Sequence, residues 1–458
     1  MDQTTEVIVD FVDRTGADTV SQAVLHDAKR LVVDAIGCAV GAIDSAPARI
    51  SREIARGVSG ELSATAIGLP KRTTAEMAAF ANTAMVRYLD FNDMYFAPKG
   101  GGGHPSDLIP TALAMGQALG RSGRDVLASI VIGYEVLGAL AGTVRIRERG
   151  WDQGLNAVVA AAMIAGKLLG LSKEQLGHAV SLAIVPHVPT RQTRVGELSM
   201  WKGCATAGAA RNGMFAALLA SKGMTGPPEP FEGFDGIKQL VTGPFDLALP
   251  ALPESFVIQR IHTKYRPAEY NAQGPLDLIL RMRGEMPLDE IERVDVETYW
   301  LAYSEIGMEK AKWDPRTRET ADHSIPYLLA VALVDGEVGL RSFTPERIAD
   351  PALRPLMSRI TVAENKDFSR RFPAELLTRI TITSTSGAKV TDEIAYPKGH
   401  ARNPMSDAEI DMKFDALVET RGPQDAEACR AVRKTLWSLE SVKDVTAAIE
   451  PLGQLHVS

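Results

Sequence analysis

Two carboxylates and an imidazole lie close together early in the chain. Leu89-Asp90-Phe91-Asn92-Asp93 is followed by the glycine run 100–103 and by Gly103-His104-Pro105-Ser106-Asp107. Carboxylate and imidazole are the side chains that move protons near neutral pH, and glycines let backbone N–H groups close on an anion. The same residues also fit a polar loop with aspartate helix caps. The surroundings favour the first reading, because the stretch interrupts an Ala-, Val- and Leu-rich region where polar groups without a task would be costly. It is expected to be the active-site loop.

Further clusters could serve it. Arg191-Gln192-Thr193-Arg194 leads through Glu197 and Trp201 to Lys202. Three cations beside an apolar helix suit a ligand with several carboxylates, arginine as a two-pronged fork and lysine as a point charge. A solvated charged loop fits the spacing equally well. The stretch from Lys264 through Arg266-Pro267 and Asn271 to Gln273 gathers amides, phenols and cations, which would line a polar ligand site or a surface turn. In Asp322-His323-Ser324-Ile325-Pro326-Tyr327, Asp322 reads as an N-cap for a helix over 324–334, whereas Tyr327 is placed to donate a proton into a cleft. Gly399-His400-Ala401-Arg402 reads as a basic turn.

Metal and cofactor signatures are missing from the sequence. His26, His178, His187, His262 and His456 are isolated, and neither H-x-x-x-H nor H-E-x-x-H occurs. Cys38, Cys204 and Cys429 are far apart with no C-x-x-C pair, so neither a disulfide framework nor an iron–sulfur cluster is expected. Asp90, Asp93 and His104 could hold a hard cation, but acid–base use suits them better. There is no P-loop, and the glycines at 100–103 follow no strand and match no dinucleotide fingerprint. No cofactor and no metal are expected.

The elements that must position these residues are mostly helical. From residue 21 to about 223, apolar residues recur at three- and four-residue steps, over 75–88, 108–119, 126–140, 157–169 and 206–219 among others, with Gly120, Gly170 and Gly223 as stops. Gly226-Pro227-Pro228-Glu229-Pro230 marks a change of composition. Beyond it, strand-like alternation over 291–299 and 378–384, the latter meeting 389–394 across Ser386-Gly387, is mixed with a helix at 324–334. After Tyr396-Pro397 the helical pattern returns, opened by Ser406 and Glu409 as a capping box.

The chain has 458 residues, 45% hydrophobic and 23% charged, with net charge −7. Two domains are expected from that length. The balance excludes nucleic acid as a partner on electrostatic grounds and leaves an anionic substrate in need of a local cationic pocket. The N-terminus lacks a basic stretch followed by an apolar core, so no secretory signal is expected. Residues 126–142 form the longest apolar run, and Glu135 within it argues for a buried helix rather than a membrane span. A cytoplasmic location follows as the default.

Together the clusters resemble the MmgE/PrpD family. The likeness rests on L-D-F-N-D at 89–93, G-H-P-S-D at 103–107, W-K at 201–202, K-x-x-P-A-E at 264–269, D-H-S-I-x-Y at 322–327 and Y-P-x-G-H-A-R at 396–402. The resemblance implies a mainly α fold, with a large all-helical domain built from residues 1–258 and 398–458 and a smaller α+β lid domain inserted at 259–397. It implies a cofactor-independent hydro-lyase that dehydrates a hydroxy-tricarboxylate such as 2-methylcitrate, commonly as a homodimer. An epimerase or racemase, a decarboxylase of a related polycarboxylate and a non-catalytic helical scaffold are the alternatives. Asp90, His104, Lys202 and Tyr327 would be catalytic, with Lys202 on the helical domain. Asp93, Arg191, Arg194, Lys264 and Gln273 would bind substrate. Met94 and Gln153 depart from the family pattern, since a threonine and a histidine are common there.

Overall fold

The computed structural model describes residues 1–98, 101–249 and 256–457. Gly100, in the glycine run, lies outside them. The chain divides into two compact units, the first comprising Met1–Thr193, Gly203–Ile261 and Ser406–Ser458, the second Arg194–Lys202 and His262–Met405. Helix predominates, and strands are few.

Helices make the body of the first unit. Gly123–Thr143 packs lengthwise on Gly154–Leu169. Gly133 permits this approach, because a methyl group there would overlap Ile164. By length and composition Gly123–Thr143 could cross a membrane, yet most of it is buried within the unit. Its acidic residue also has a structural task. The Glu135 carboxylate accepts backbone N–H groups of Val257 and Ile258, and burial raises its pKa to about 7. Gly170 ends the neighbouring helix in the left-handed conformation, as its position after the last periodic residue predicts.

The C-terminal segment belongs to this unit. Ser406 and Glu409 form the expected capping box at the start of Asp407–Val418. That helix carries Lys413, whose ammonium lies 2.6 Å from Asp34 Oδ1 on Gln22–Gly41. The same ammonium donates to the Phe91 carbonyl at 2.6 Å and sits 3.9 Å from the centre of the Phe91 ring. A buried cation thus ties a late helix to the early loop 89–93.

The second unit is built on a four-stranded sheet in the order Ile360–Glu364, Ile291–Thr298, Thr378–Ser384, Lys389–Ile394. The last two strands form the predicted hairpin, with Gly387 at φ +85° in its turn. Ile360–Glu364 was not foreseen. It is a five-residue edge strand pairing parallel to Ile291–Thr298, and so short an alternation carries little signal. Gln273–Met282 and Ile325–Asp335 contribute Leu276, Ile279 and Leu328 to an apolar core shared with Val294 and Ile380 of the sheet.

The turn at 399–402 has a structural role in this unit. His262 and His400 stack with centroids 4.4 Å apart, Ala401 N–H donates to His262 Nδ1, and Arg402 N–H donates to His400 Nδ1. Each ring must be neutral at Nδ1 to accept these bonds. Burial depresses the pKa of His262 to about 3 and of His400 to about 4, neighbouring charge adding to it in each case.

Two outcomes are expected. Lys413→Met should destabilise the protein by about 3–5 kcal/mol in denaturant titrations, because it strands Asp34 without its buried partner. Asp34→Leu combined with Lys413→Met should cost less than the sum of the single changes; additive losses would contradict the pair. Second, because both histidine pKa values are depressed, their stabilisation is complete above pH 6.5 and is lost as pH falls toward 4. Amide exchange at Ala401 and Arg402 should stay slow relative to intrinsic rates at pH 7 and accelerate as the rings protonate. Either ring titrating near pH 6.5 would refute this.

Candidate active site

The strongest polar constellation in the first unit forms around loop 89–93. The helix Ala75–Tyr88 is apolar along most of its length, yet Arg87 in its last turn is buried. Asp90 follows three residues later and is the one non-glycine residue at positive φ among the described residues, at +49°. That conformation costs about 1–2 kcal/mol for a residue with a side chain. The ion pair between the Asp90 carboxylate and Arg87 Nη1 offsets it.

Two short strands return the chain to this point. Tyr95–Phe96 pairs antiparallel with Gly102–Gly103 and delivers His104 back beside Asp93. The glycines at 101 and 102 permit close packing. A side chain on Gly101 would overlap the Ala141 carbonyl, and one on Gly102 would overlap that of Tyr95.

His104 is half-buried, and both ring nitrogens have partners. Arg87 Nη2 lies 2.9 Å from Nε2, and the Asp93 carbonyl oxygen lies 2.6 Å from Nδ1. A guanidinium only donates and a carbonyl only accepts, so the neutral ring carries its proton on Nδ1. Gln153 accepts from the His104 backbone N–H at 3.2 Å and donates to Thr206 Oγ1 at 3.2 Å. The glutamine at this family-variable position therefore still supports the histidine.

Asp93 lies beneath the loop. Its carboxylate accepts from Ser106 N–H at 3.1 Å, Ser106 Oγ at 2.6 Å and Tyr134 Oη at 2.9 Å. Burial raises its pKa to about 7, while the Ser106 and Tyr134 bonds pull the other way. Asp93 is fully buried, its carboxylate engaged by Ser106 and Tyr134 and its carbonyl facing His104 Nδ1. Asn92 donates to Ser106 Oγ and Asp107 Oδ1, each at 2.9 Å, and Asp107 stands 3.9 Å from Arg87 Nε.

The second unit holds its own polar cluster. Lys202, expected on the helical domain, clusters here; its ammonium is buried 3.6 Å from Asp322 Oδ1. The same oxygen lies 2.5 Å from His323 Nδ1. Asp322 is not the helix cap, since Ser324 accepts from Tyr327 N–H. Lys264 is fully buried in this unit. Gln273 is fully buried too, accepting from Arg266 N–H and donating to the Arg266 and Ala268 carbonyls. It staples the turn around Pro267, which leaves no side-chain edge for the substrate contact expected of it.

Tyr327 also departs from expectation. Its ring packs in the apolar core of the second unit and its hydroxyl donates to the Ser342 carbonyl. Burial raises its pKa well above the usual phenol value. A helix-start phenol committed to a core carbonyl is a structural group, not the second acid. Arg191 and Arg194 lie half-buried on one turn of 3-10 helix.

Arg87 and Tyr134 were missed from sequence. Arg87 had a signal: a lone cation in an apolar helix, three residues before an aspartate. The arrangement suits proton transfer beside an anion-binding group. A metal ion placed among Asp90, Asp93 and His104 would face the Arg87 charge, so these residues do not make a cation site.

A half-buried histidine, a buried arginine and buried carboxylates thus form one cluster on a helical scaffold. Residues 6–250 match the MmgE/PrpD N-terminal domain and residues 267–439 the MmgE/PrpD C-terminal domain, and the chain belongs to the MmgE/PrpD family. It is 29% identical over 432 residues to 2-methylcitrate dehydratase of Cupriavidus necator, covering 87% of this chain and 86% of that one. It is 27% identical to 2-methylcitrate dehydratase of Escherichia coli strain K12, with 86% of each chain covered. Human cis-aconitate decarboxylase is 25% identical over 448 residues, covering 93% of this chain and 90% of that one.

Tyr327→Phe should cost about 1–3 kcal/mol of stability by leaving the buried Ser342 carbonyl unpaired, while turnover per folded molecule stays near wild type. A well-folded Tyr327→Phe protein with turnover reduced a hundredfold would return the phenol to the catalytic set.

Proposed function

We propose that the protein is a hydro-lyase that removes water from a hydroxy-tricarboxylate such as 2-methylcitrate, by acid–base catalysis without a cofactor. The observation that carries this reading is His104 with an unprotonated Nε2 that accepts from Arg87, itself paired with Asp90. The names of the relatives supply the substrate class.

In this reading a substrate carboxylate draws the Arg87 guanidinium off Nε2, and the lone pair so exposed takes the proton α to a carboxylate. The electron pair forms the carbon–carbon double bond as the C–O bond breaks. The departing hydroxyl is protonated by the imidazolium just formed and leaves as water, while the Asp90 carboxylate stays paired with Arg87. A positive group beside the developing enolate-like charge lowers the barrier, and Arg87 adds that role to the carboxylate grip we assign to Arg191, Arg194, Lys202 and Lys264. The α-proton step is shared with an epimerase, which would return the proton to the other face. We also infer a homodimer and a cytoplasmic location.

A panel of hydroxy-polycarboxylates in deuterated buffer tests the reaction. The expected result is a rising alkene absorbance with 2-methylcitrate that survives prolonged chelation. Deuterium incorporation without alkene would replace this reading by epimerisation, and carbon dioxide release from an unsaturated tricarboxylate by decarboxylation. Sedimentation as a monomer at micromolar concentration would contradict the homodimer.

A further inference from the structure

The contact between Arg87 and His104 implies more than proximity. In free imidazole the proton favours the other nitrogen, so a ring held with Nδ1–H and a bare Nε2 needs something to hold it that way. Here a carbonyl accepts at Nδ1 and a guanidinium donates at Nε2. An N–H on Nε2 would point at a group able only to donate, and an imidazolium would bring two cations to 2.9 Å.

Carboxylates hold the guanidinium at this position. It is buried, paired with Asp90 through Nη1, and has Asp107 3.9 Å from Nε. Asp107 is itself held by Asn92 Nδ2, and its carbonyl accepts from Thr83 Oγ1 at 2.9 Å. On the other side of the ring, the Asp93 carboxylate is bound by Ser106 and Tyr134, which secures the carbonyl that receives Nδ1–H. Arg87, Asp90, Asp93, Asp107 and Tyr134 are titratable or charged groups of this network among the described residues of the first unit. Arg87 addresses Nε2 through a hydrogen bond of normal length.

We propose that Arg87 is the positioning residue that sets the tautomer of His104, holding the proton on Nδ1 so that Nε2 is the nitrogen exposed to the substrate proton once a carboxylate draws the guanidinium away. The inference rests on the proposed function only in taking His104 as the proton acceptor. It also gives a reason for placing a costly buried arginine in an apolar helix.

Long-range proton–nitrogen spectra of protein labelled with 15N-histidine report the tautomer directly, with His104 assigned by the signal lost in His104→Gln. Wild type should show the Nδ1–H form from pH 6 to 8. Arg87→Met should convert the ring to the Nε2–H form or let it protonate in that range. A wild-type ring in the Nε2–H form overturns the proposal, as does folded Arg87→Met that keeps Nδ1–H. Where Arg87→Met does not fold, wild type alone decides through scalar coupling across the Arg87 Nη2–H to Nε2 hydrogen bond. Its presence supports the proposal and its absence overturns it. These spectra need no substrate, so a protein with the expected tautomer that forms no alkene would lose the dehydration reading and keep this one.

Discussion

A guanidinium buried at the end of an apolar helix is the constraint on which the candidate site depends. Taking Arg87 out of water costs several kcal/mol unless its donors are met. Asp90 and the His104 ring meet them, with Asp107 close to Nε, and none of the three could take its place without a specific backbone path. Asp90 must adopt positive φ to face the helix it has just left. His104 must be carried back by a hairpin whose glycines tolerate backbone contact on both sides. The local irregularities are thus consequences of satisfying one charge.

A second buried cation supports the loop from behind. Lys413 reaches the Phe91 carbonyl from a helix far along the chain, with Asp34 balancing its charge. Between Arg87 and Lys413 the backbone from 89 to 93 is held at both its carboxylate and its carbonyl. Residual freedom is removed by the Asp93, Ser106 and Tyr134 bonds. A site of this kind has little reorganisation to undergo when a proton moves, which is the physical advantage of preorganised polar groups.

Much of this was legible where the signal is local. The helix over 75–88, the hairpin across Ser386-Gly387 and the Ser406–Glu409 box follow from periodicity and capping within a few residues. The loop 89–107 stood out because titratable residues interrupt an apolar region. What escaped was set by distant partners. Tyr134 meets Asp93 and Lys413 meets Phe91 across separations that no spacing rule covers. Tyr327 and Gln273 were misread for a related reason: a phenol or an amide looks the same in sequence whether it faces a ligand or a backbone carbonyl. Asp322 was taken for a cap because it sits near a helix start, but Ser324, two residues on, does that work and leaves the carboxylate to Lys202 and His323.

The central claim is that the His104 ring moves the proton, and substitution with binding measured separately tests it most directly. His104→Gln should lower the rate of alkene formation from 2-methylcitrate by about 10²–10⁴-fold. The same protein should keep its fold and the thermal shift that the substrate induces in wild type. A folded His104→Gln protein that turns over at a near-normal rate would contradict the account.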